Sequence, residues 1–203
     1  MKLTSTSFDN GQPIPAEFAA GDANGFAGNR NPQLAWSEVP GGTASFVLLC
    51  VDPDVPTVPE LVGREDVRIP ADQPRCDFVH WVMVDIPASV GEIAAGSCSD
   101  GFTARGKQQP AGPAGARQGV NDYTGWFAGN ADMAGQYLGY DGPYPPFNDE
   151  RMHRYFFRVF ALDVPALSLP EAFTAADVQR AMQGHVLAEA ALHGTYTLNP
   201  DLK

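Results

Sequence analysis

Hydrophobic residues in this chain come in short bursts between turn formers, a pattern that predicts strands rather than long amphipathic helices. The strongest burst, Phe46 to Val51, is continuously apolar and predicts a strand buried on both faces. A second runs from Phe78 to Ile86. Regular alternation would place Phe78, His80, Val82, Val84 and Ile86 on one face. A third runs from Tyr155 to Leu162, with Tyr155, Phe157, Val159 and Ala161 sharing a face that His153 extends by one more step of two. Three strong strands set far apart in sequence require non-local pairing.

One helix is predicted near the C-terminus. Thr174 stands three residues before Asp177, an N-cap pattern, and Ala175 through Met182 favours helix. After an interruption at Gly184, the alanine-rich stretch His185 to His193 predicts that the helix resumes, with Gly194 closing it as a C′ glycine. Thr195 to Leu198 returns to strand character. The expected class is all-β or β-rich α+β, with one domain over residues 1–203 and long loops near 57–76 and 101–138.

Composition narrows the function. The 203 residues include 21 glycines and 18 prolines, about 19% of the chain against a usual ~12%, which disfavours a helical bundle. A net charge of -11 disfavours nucleic acid and anionic membrane surfaces as partners. No apolar run reaches the ~18 residues of a membrane span, so integral membrane association is not expected. The segment Met1 to Asp9 turns polar at once and lacks an apolar signal core, so a cytoplasmic location is expected. Cys50, Cys76 and Cys98 lack metal spacing and read as free thiols.

Several residues could carry chemistry. Asp52 and Asp54 flank a rigid proline at the end of the strongest strand. In an extended chain they would point to similar sides; an ordinary Asp-Pro turn is the plainer alternative. His80 sits inside an apolar strand, which suits either a core histidine or a site residue. The segment Gly139 to Pro146 combines glycine, tyrosine and proline and would form a rigid rim beside His153; a polyproline-type surface loop or interaction segment is the plainer alternative.

Taken in order, these stretches resemble the phosphatidylethanolamine-binding protein family (Raf kinase inhibitor-like proteins), most closely its bacterial branch. The resemblance rests on Ser7-Phe8-Asp9 through Gln12-Pro13-Ile14-Pro15, Asn31 to Trp36, and Phe46 to Pro56 ending Asp-Pro-Asp-x-Pro. It continues through Phe78 to Pro87, Gly142 to Pro146, His153-Arg154-Tyr155-Phe156 and the tail from Gly184 to Tyr196. It implies a large antiparallel sheet packed on a smaller one with peripheral helices. It also implies a small pocket for phosphate-like anions or phospholipid headgroups, lined by Asp52, His80, His153 and Tyr155, with Phe78, Gly142 and Pro145 shaping the rim. The protein would then be a non-enzymatic binder, without cofactor or metal, with a regulatory role through phosphorylated or anionic partners. Arg154, one residue out of phase, would pair in support of the loop.

The chain departs from the family pattern at three places. Phe78 stands where relatives often carry tryptophan. Phe147 to Met152 replaces a shorter link and adds Asp149 and Glu150, which would weaken a doubly charged ligand unless Arg151 offsets them. Some forty residues of added loop are expected in 57–76 and 101–138, and the aromatic segment 123–137 could cover the pocket, form a homodimer face or pack on itself. A hydrolase using Asp52, Asp54, His80 and His153 is the enzymatic alternative, although the chain has no nucleophile elbow, phosphate loop or His-Glu-x-x-His motif.

Overall fold

The computed structural model describes residues 1–202. Its strands are β1 (Lys2–Thr4), β2 (Gly21–Asp22), β3 (Gly25–Phe26), β4 (Leu34–Ser37), β5 (Ser45–Pro56), β6 (Arg75–Pro87), β7 (Glu92–Ile93), β8 (Arg117–Gln118), β9 (His153–Leu162) and β10 (Val186–Tyr196); the α-helices are α1 (Tyr123–Trp126) and α2 (Ala175–Ala181). A five-stranded antiparallel sheet has the order β10-β9-β5-β6-β8, and a three-stranded sheet has the order β1-β4-β7. This is the expected class: a large antiparallel sheet with a smaller one and few helices.

β5 lies at the centre of the large sheet, which explains its unbroken apolar run. Phe46, Leu48 and Cys50 join Met83, Phe157 and Val159 on one face, where Leu3, Leu34, Trp36 and Ile93 of the small sheet cover them. Val47 and Leu49 face the other way, with Val82, Val84 and Phe160, beneath Leu167, Phe173 and the α2 residues Ala175 and Val178. β9 alternates as expected, with Tyr155, Phe157, Val159 and Ala161 on the first face.

β6 does not alternate throughout. Trp81 pairs with Cys50 and Val79 with Val51, so His80 is an extra residue in a bulge. A bulge leaves two successive side chains on the same side of the sheet. A second irregularity lies between the Met83 and Ile86 pairings, where Asp85 takes the left-handed φ of +56°. Asp85 is fixed there by Arg117 Nε at 2.7 Å and Leu167 N–H at 2.8 Å. The single face expected for Phe78, His80, Val82, Val84 and Ile86 is therefore corrected. Val82 and Val84 face α2, while Ile86, with Trp81 and Met83, faces the small sheet.

The C-terminal helix is correct only in its first part. Thr174 Oγ1 and Asp177 form the reciprocal capping box, and α2 ends before Gly184, which takes φ +85°. The expected resumption over His185 to His193 is instead the edge strand β10, paired with β9 from Val186 to Tyr196. Ala188, Ala190 and Leu192 alternate onto the core, a period of two that outweighs alanine's helix propensity. Gly194 is no helix stop. A Cβ there would come within 2.4 Å of Ile14 Cγ1 and 3.0 Å of Phe8 Cε2. Gly194→Ala should therefore cost about 1–3 kcal/mol by overpacking, read as a lower urea midpoint at unchanged m-value.

Candidate functional site

The bulge at His80 lies opposite a second one in β5. Asp52 pairs with Phe78 and Val55 with Cys76, so β5 carries one extra residue around Pro53 and Asp54. Proline has no N–H for the ladder and is tolerated at such a break. Both central strands thus depart from regular pairing at the same end of the sheet, where β9 begins with His153. Asp52, His80, His153 and Tyr155 converge there on one cavity.

The cavity has a volume of about 50 Å³, room for a few heavy atoms. Its walls are mainly apolar and aromatic: Val55, Pro56, Val62, Phe78, Tyr123, Trp126, Tyr144, Pro145 and Pro146. The mouth continues into a shallow groove formed by Pro59, Phe78, Asp122, Gly125 and Trp126. Among the described residues, no group of three His, Cys, Asp or Glu side chains is arranged to hold a metal ion.

His153 is bracketed by carboxylates. Its Nδ1 lies 2.6 Å from Asp52 Oδ2 and its Nε2 3.1 Å from Asp149 Oδ2, all three side chains being buried. Burial alone would lower its pKa, but the bonds to Asp149 and Asp52 outweigh it and carry the imidazole up to about 9. His153 is therefore a cation at neutral pH, donating from both nitrogens. Asp149 is itself held by Arg75 through Nη1 at 2.5 Å and Nη2 at 3.0 Å. Burial works against the charged form of Asp149, but His153, Arg75 and the Arg151 N–H bring its pKa below the usual carboxylate range.

The loop ahead of β6 places Asp149. Ile69 N–H donates to Asn148 O, Glu150 N–H donates back to Ile69 O, and Asn148 Nδ2 donates to Leu61 O and Val67 O. The segment 57–76 is thus docked against 147–151.

His80 is in the opposite state. Its Nδ1 lies 2.7 Å from the Asp141 carbonyl, which can only accept, so Nδ1 carries the hydrogen. Nε2 then keeps a lone pair, bonds to no described side chain and is left for the cavity. Burial lowers the His80 pKa below its ordinary value, against the opposing pull of Asp52 and of the Asp141 and Asp122 carboxylates. Asp141 is fully buried and tied to Lys107 Nζ at 2.6 Å, Asn29 Nδ2 at 2.8 Å and Asn121 Nδ2 at 2.8 Å. Residues 101–121, which hold Arg105, Lys107 and Arg117 and no acid, thus supply through Lys107 the cation that anchors the carboxylate behind His80.

Of the expected site residues, Asp52, Phe78, His80, Pro145, His153 and Tyr155 all line the cavity, whereas Gly142 stands behind its wall. There its N–H donates to Asn29 Oδ1 and its carbonyl accepts from Tyr123 Oη at 2.8 Å. A Cβ on Gly142 would lie 2.2 Å from Phe18 O. Asp54 does not share the side of Asp52. It takes Arg154 through Nε and Nη2 at 2.8 and 3.0 Å, with Arg151 at 3.3 Å, so Arg154 pairs as expected and Asp54 stays out of the cavity. Arg75 was not expected at the site; Asp141 was named only within the rim segment Gly139 to Pro146, and Tyr123 and Trp126 only within the aromatic segment 123–137 that could cover the pocket. The aromatic content of 123–137 signalled that segment's task in the sequence, whereas nothing in the sequence pattern marked Arg75. In the aromatic segment Tyr123, Phe127 and Tyr137 pack together with Phe102, while Trp126 stays exposed at the mouth.

The family model described as phosphatidylethanolamine-binding protein matches residues 4–197. A UPF0098 protein of Aquifex aeolicus is 34% identical over 198 residues, covering 97% of this chain and 88% of the relative. One from Methanothermobacter thermautotrophicus is 33% identical, covering 97% and 98%. Among solved structures, a phosphatidylethanolamine-binding protein homolog from Chlamydia trachomatis aligns at TM-score 0.65 and 32% identity, covering 96% and 95% of the two chains. YbcL of E. coli aligns at TM-score 0.71 and 26% identity, covering 97% of each. These proteins are close to this chain in length, so the forty residues expected as added loop are not an excess over them.

The bracketed imidazole makes stability depend on pH. A group whose folded pKa is raised contributes fully below its unfolded value and loses that contribution as pH rises through the folded value. For His153 the window runs from about 6.5 to about 9. Urea unfolding should show stability falling across that window by on the order of 3 kcal/mol, and His153→Gln should flatten the profile.

Proposed function

Because the chain belongs to the phosphatidylethanolamine-binding protein family, whose members bind small ligands and are not enzymes, we propose that its cavity takes a single oxyanion group of a phosphate, carboxylate or phospholipid headgroup. The observation that carries this reading is His80. Its anchored Nδ1 turns Nε2 toward a small, mainly apolar cavity, beside a histidine already held as a cation. An arriving anion favours a proton on Nε2, creating a donor and a positive charge where the ligand needs them. Tyr155 and Tyr144 add hydroxyls to the lining.

Trp126 and Tyr123 serve in this reading as wall and lip of the pocket rather than as a dimer face, since the neighbouring aromatics are spent on one another. No serine, threonine or cysteine lines the cavity to act as a nucleophile for the hydrolase alternative. A cytoplasmic setting, with a regulatory role through phosphorylated or anionic partners, completes the proposal; the three free thiols suit a reducing compartment.

The test is a titration with acetate, phosphate and phosphoethanolamine, following the imidazole nitrogens by NMR. Acetate keeps one charge across neutral pH, so its affinity should rise by up to about tenfold per unit as pH falls from 7.5 to 6.5, one proton being taken up. The groups facing His80 are Asp52 from β5, Asp122 beside α1, Asp141, and the phenols Tyr123 and Tyr155. Burial holds both phenols well above their ordinary range, so neither titrates in this window. His80→Ala should abolish binding. If no ligand moves the His80 signals, the cavity is not an anion site.

A further inference from the structure

Three of the four imidazole nitrogens at the cavity are already committed. Both His153 nitrogens bond to carboxylates, Asp52 on one side and Asp149 on the other, and His80 Nδ1 is used on the Asp141 carbonyl. Within the lining, the positive charge of His153 is met by the Asp52 carboxylate it touches. The next cation, Arg75, is spent on Asp149 behind the imidazole. Arg151 and Arg154 are spent on Asp54, outside the cavity. The tyrosines supply hydroxyls but no charge. One further positive charge is therefore available to a ligand, the imidazolium that forms when His80 takes up a proton.

Resting on the anion-binding reading above, we infer that Asp149 is a specificity-determining residue: by closing His153 Nε2 to the cavity it restricts the ligand to a singly charged oxyanion, a phosphodiester or carboxylate, against a phosphomonoester dianion. A second negative charge would find no second cation to match it and would stand close to Asp52. The groove beyond the mouth supports the diester class, because Phe78 and Trp126 line both cavity and groove and give a second ester arm a way out over apolar surface. A closed cavity would have favoured a bare ion.

Two small probes separate the charge states. Dimethyl phosphate carries one charge at any working pH, whereas methyl phosphate gains its second near pH 6. At pH 8 the wild-type protein should bind dimethyl phosphate at least about tenfold more tightly than methyl phosphate, and at pH 5.5 the gap should close to within about threefold. Binding should move the His80 imidazole nitrogens and leave those of His153 in place. In Asp149→Asn, methyl phosphate should gain roughly tenfold at pH 8 through the loss of one nearby negative charge. Equal or tighter binding of methyl phosphate by wild type at pH 8 would overturn the inference, as would His153 signals that respond while those of His80 do not. An Asp149→Asn protein that folds and keeps the wild-type preference would remove Asp149 as its cause. Should that variant fail to fold, the wild-type pH comparison decides whether the site is restricted to one charge, and Asp149→Ser, tested in the same way, decides the role of Asp149. If neither probe binds at either pH, the anion pocket itself is wrong and this inference falls with it.

Discussion

One imidazolium held between two buried carboxylates sets the arrangement of this end of the molecule. Asp52 comes from the central strand, His153 from the start of its neighbour, Asp149 from the preceding loop and Arg75 from the start of the strand on the other side. Each group would be costly to bury alone, and each is acceptable only because its neighbours supply the opposite charge and the hydrogen bonds. Buried pairs of this kind contribute little net stability compared with apolar packing. Removing one partner is a different matter, costing about 3–5 kcal/mol because a charge is left uncompensated. The chain of charges ties register together: β5, β6, β9 and the 57–76 loop must all be in place before all of these groups are satisfied.

The two histidines show how one side-chain type takes opposite states within a single cavity. His153 touches two carboxylates and is a cation; His80 touches a carbonyl, is buried among aromatic rings and is neutral. Environments that push two titratable groups apart mark the sites where proton-linked chemistry is available. The bulges make this arrangement compatible with the core. By adding one residue to β6 at His80 and one to β5 near Pro53, they re-aim side chains at the strand ends, while Leu48 to Cys50 pair regularly with β6 and Ser45 to Val51 pair regularly with β9, as the two apolar layers need.

The legible parts of the sequence were those governed by local rules. β5 and β9 followed from apolar runs and alternation, and the Thr174 cap from its spacing to Asp177. The lining residues Asp52, His80, His153 and Tyr155 followed from motifs that resemble a family, and the cavity gathers all four. What could not be read depends on partners distant in the chain. His185 to His193 has the alanines of a helix, yet pairing with β9 and the approach of Ile14 to Gly194 make it a strand. The His80 bulge leaves no mark in the residue pattern, because the alternation looks intact until β5 fixes the register. Asp149 read as an added acid near the pocket, offset by Arg151 if at all; its burial against His153 depends on Arg75, 74 residues earlier, and on the docked 57–76 loop.

The acidic character of the chain also takes on a local meaning. A net charge of -11 gives an outer field that opposes anions, so an anion site needs short-range order rather than long-range attraction. The cavity has that order. The charges of His153 and Asp52 balance each other, the walls are rigid proline and aromatic surface, and the adjustable charge is a proton on His80. On the proposed anion-binding reading, such a site would have little standing attraction for counter-ions at neutral pH and would gain its positive charge with a ligand able to stabilise that proton. On that reading, selectivity would follow from charge matching inside a small volume, where the dielectric is low and an unmatched charge is felt most strongly.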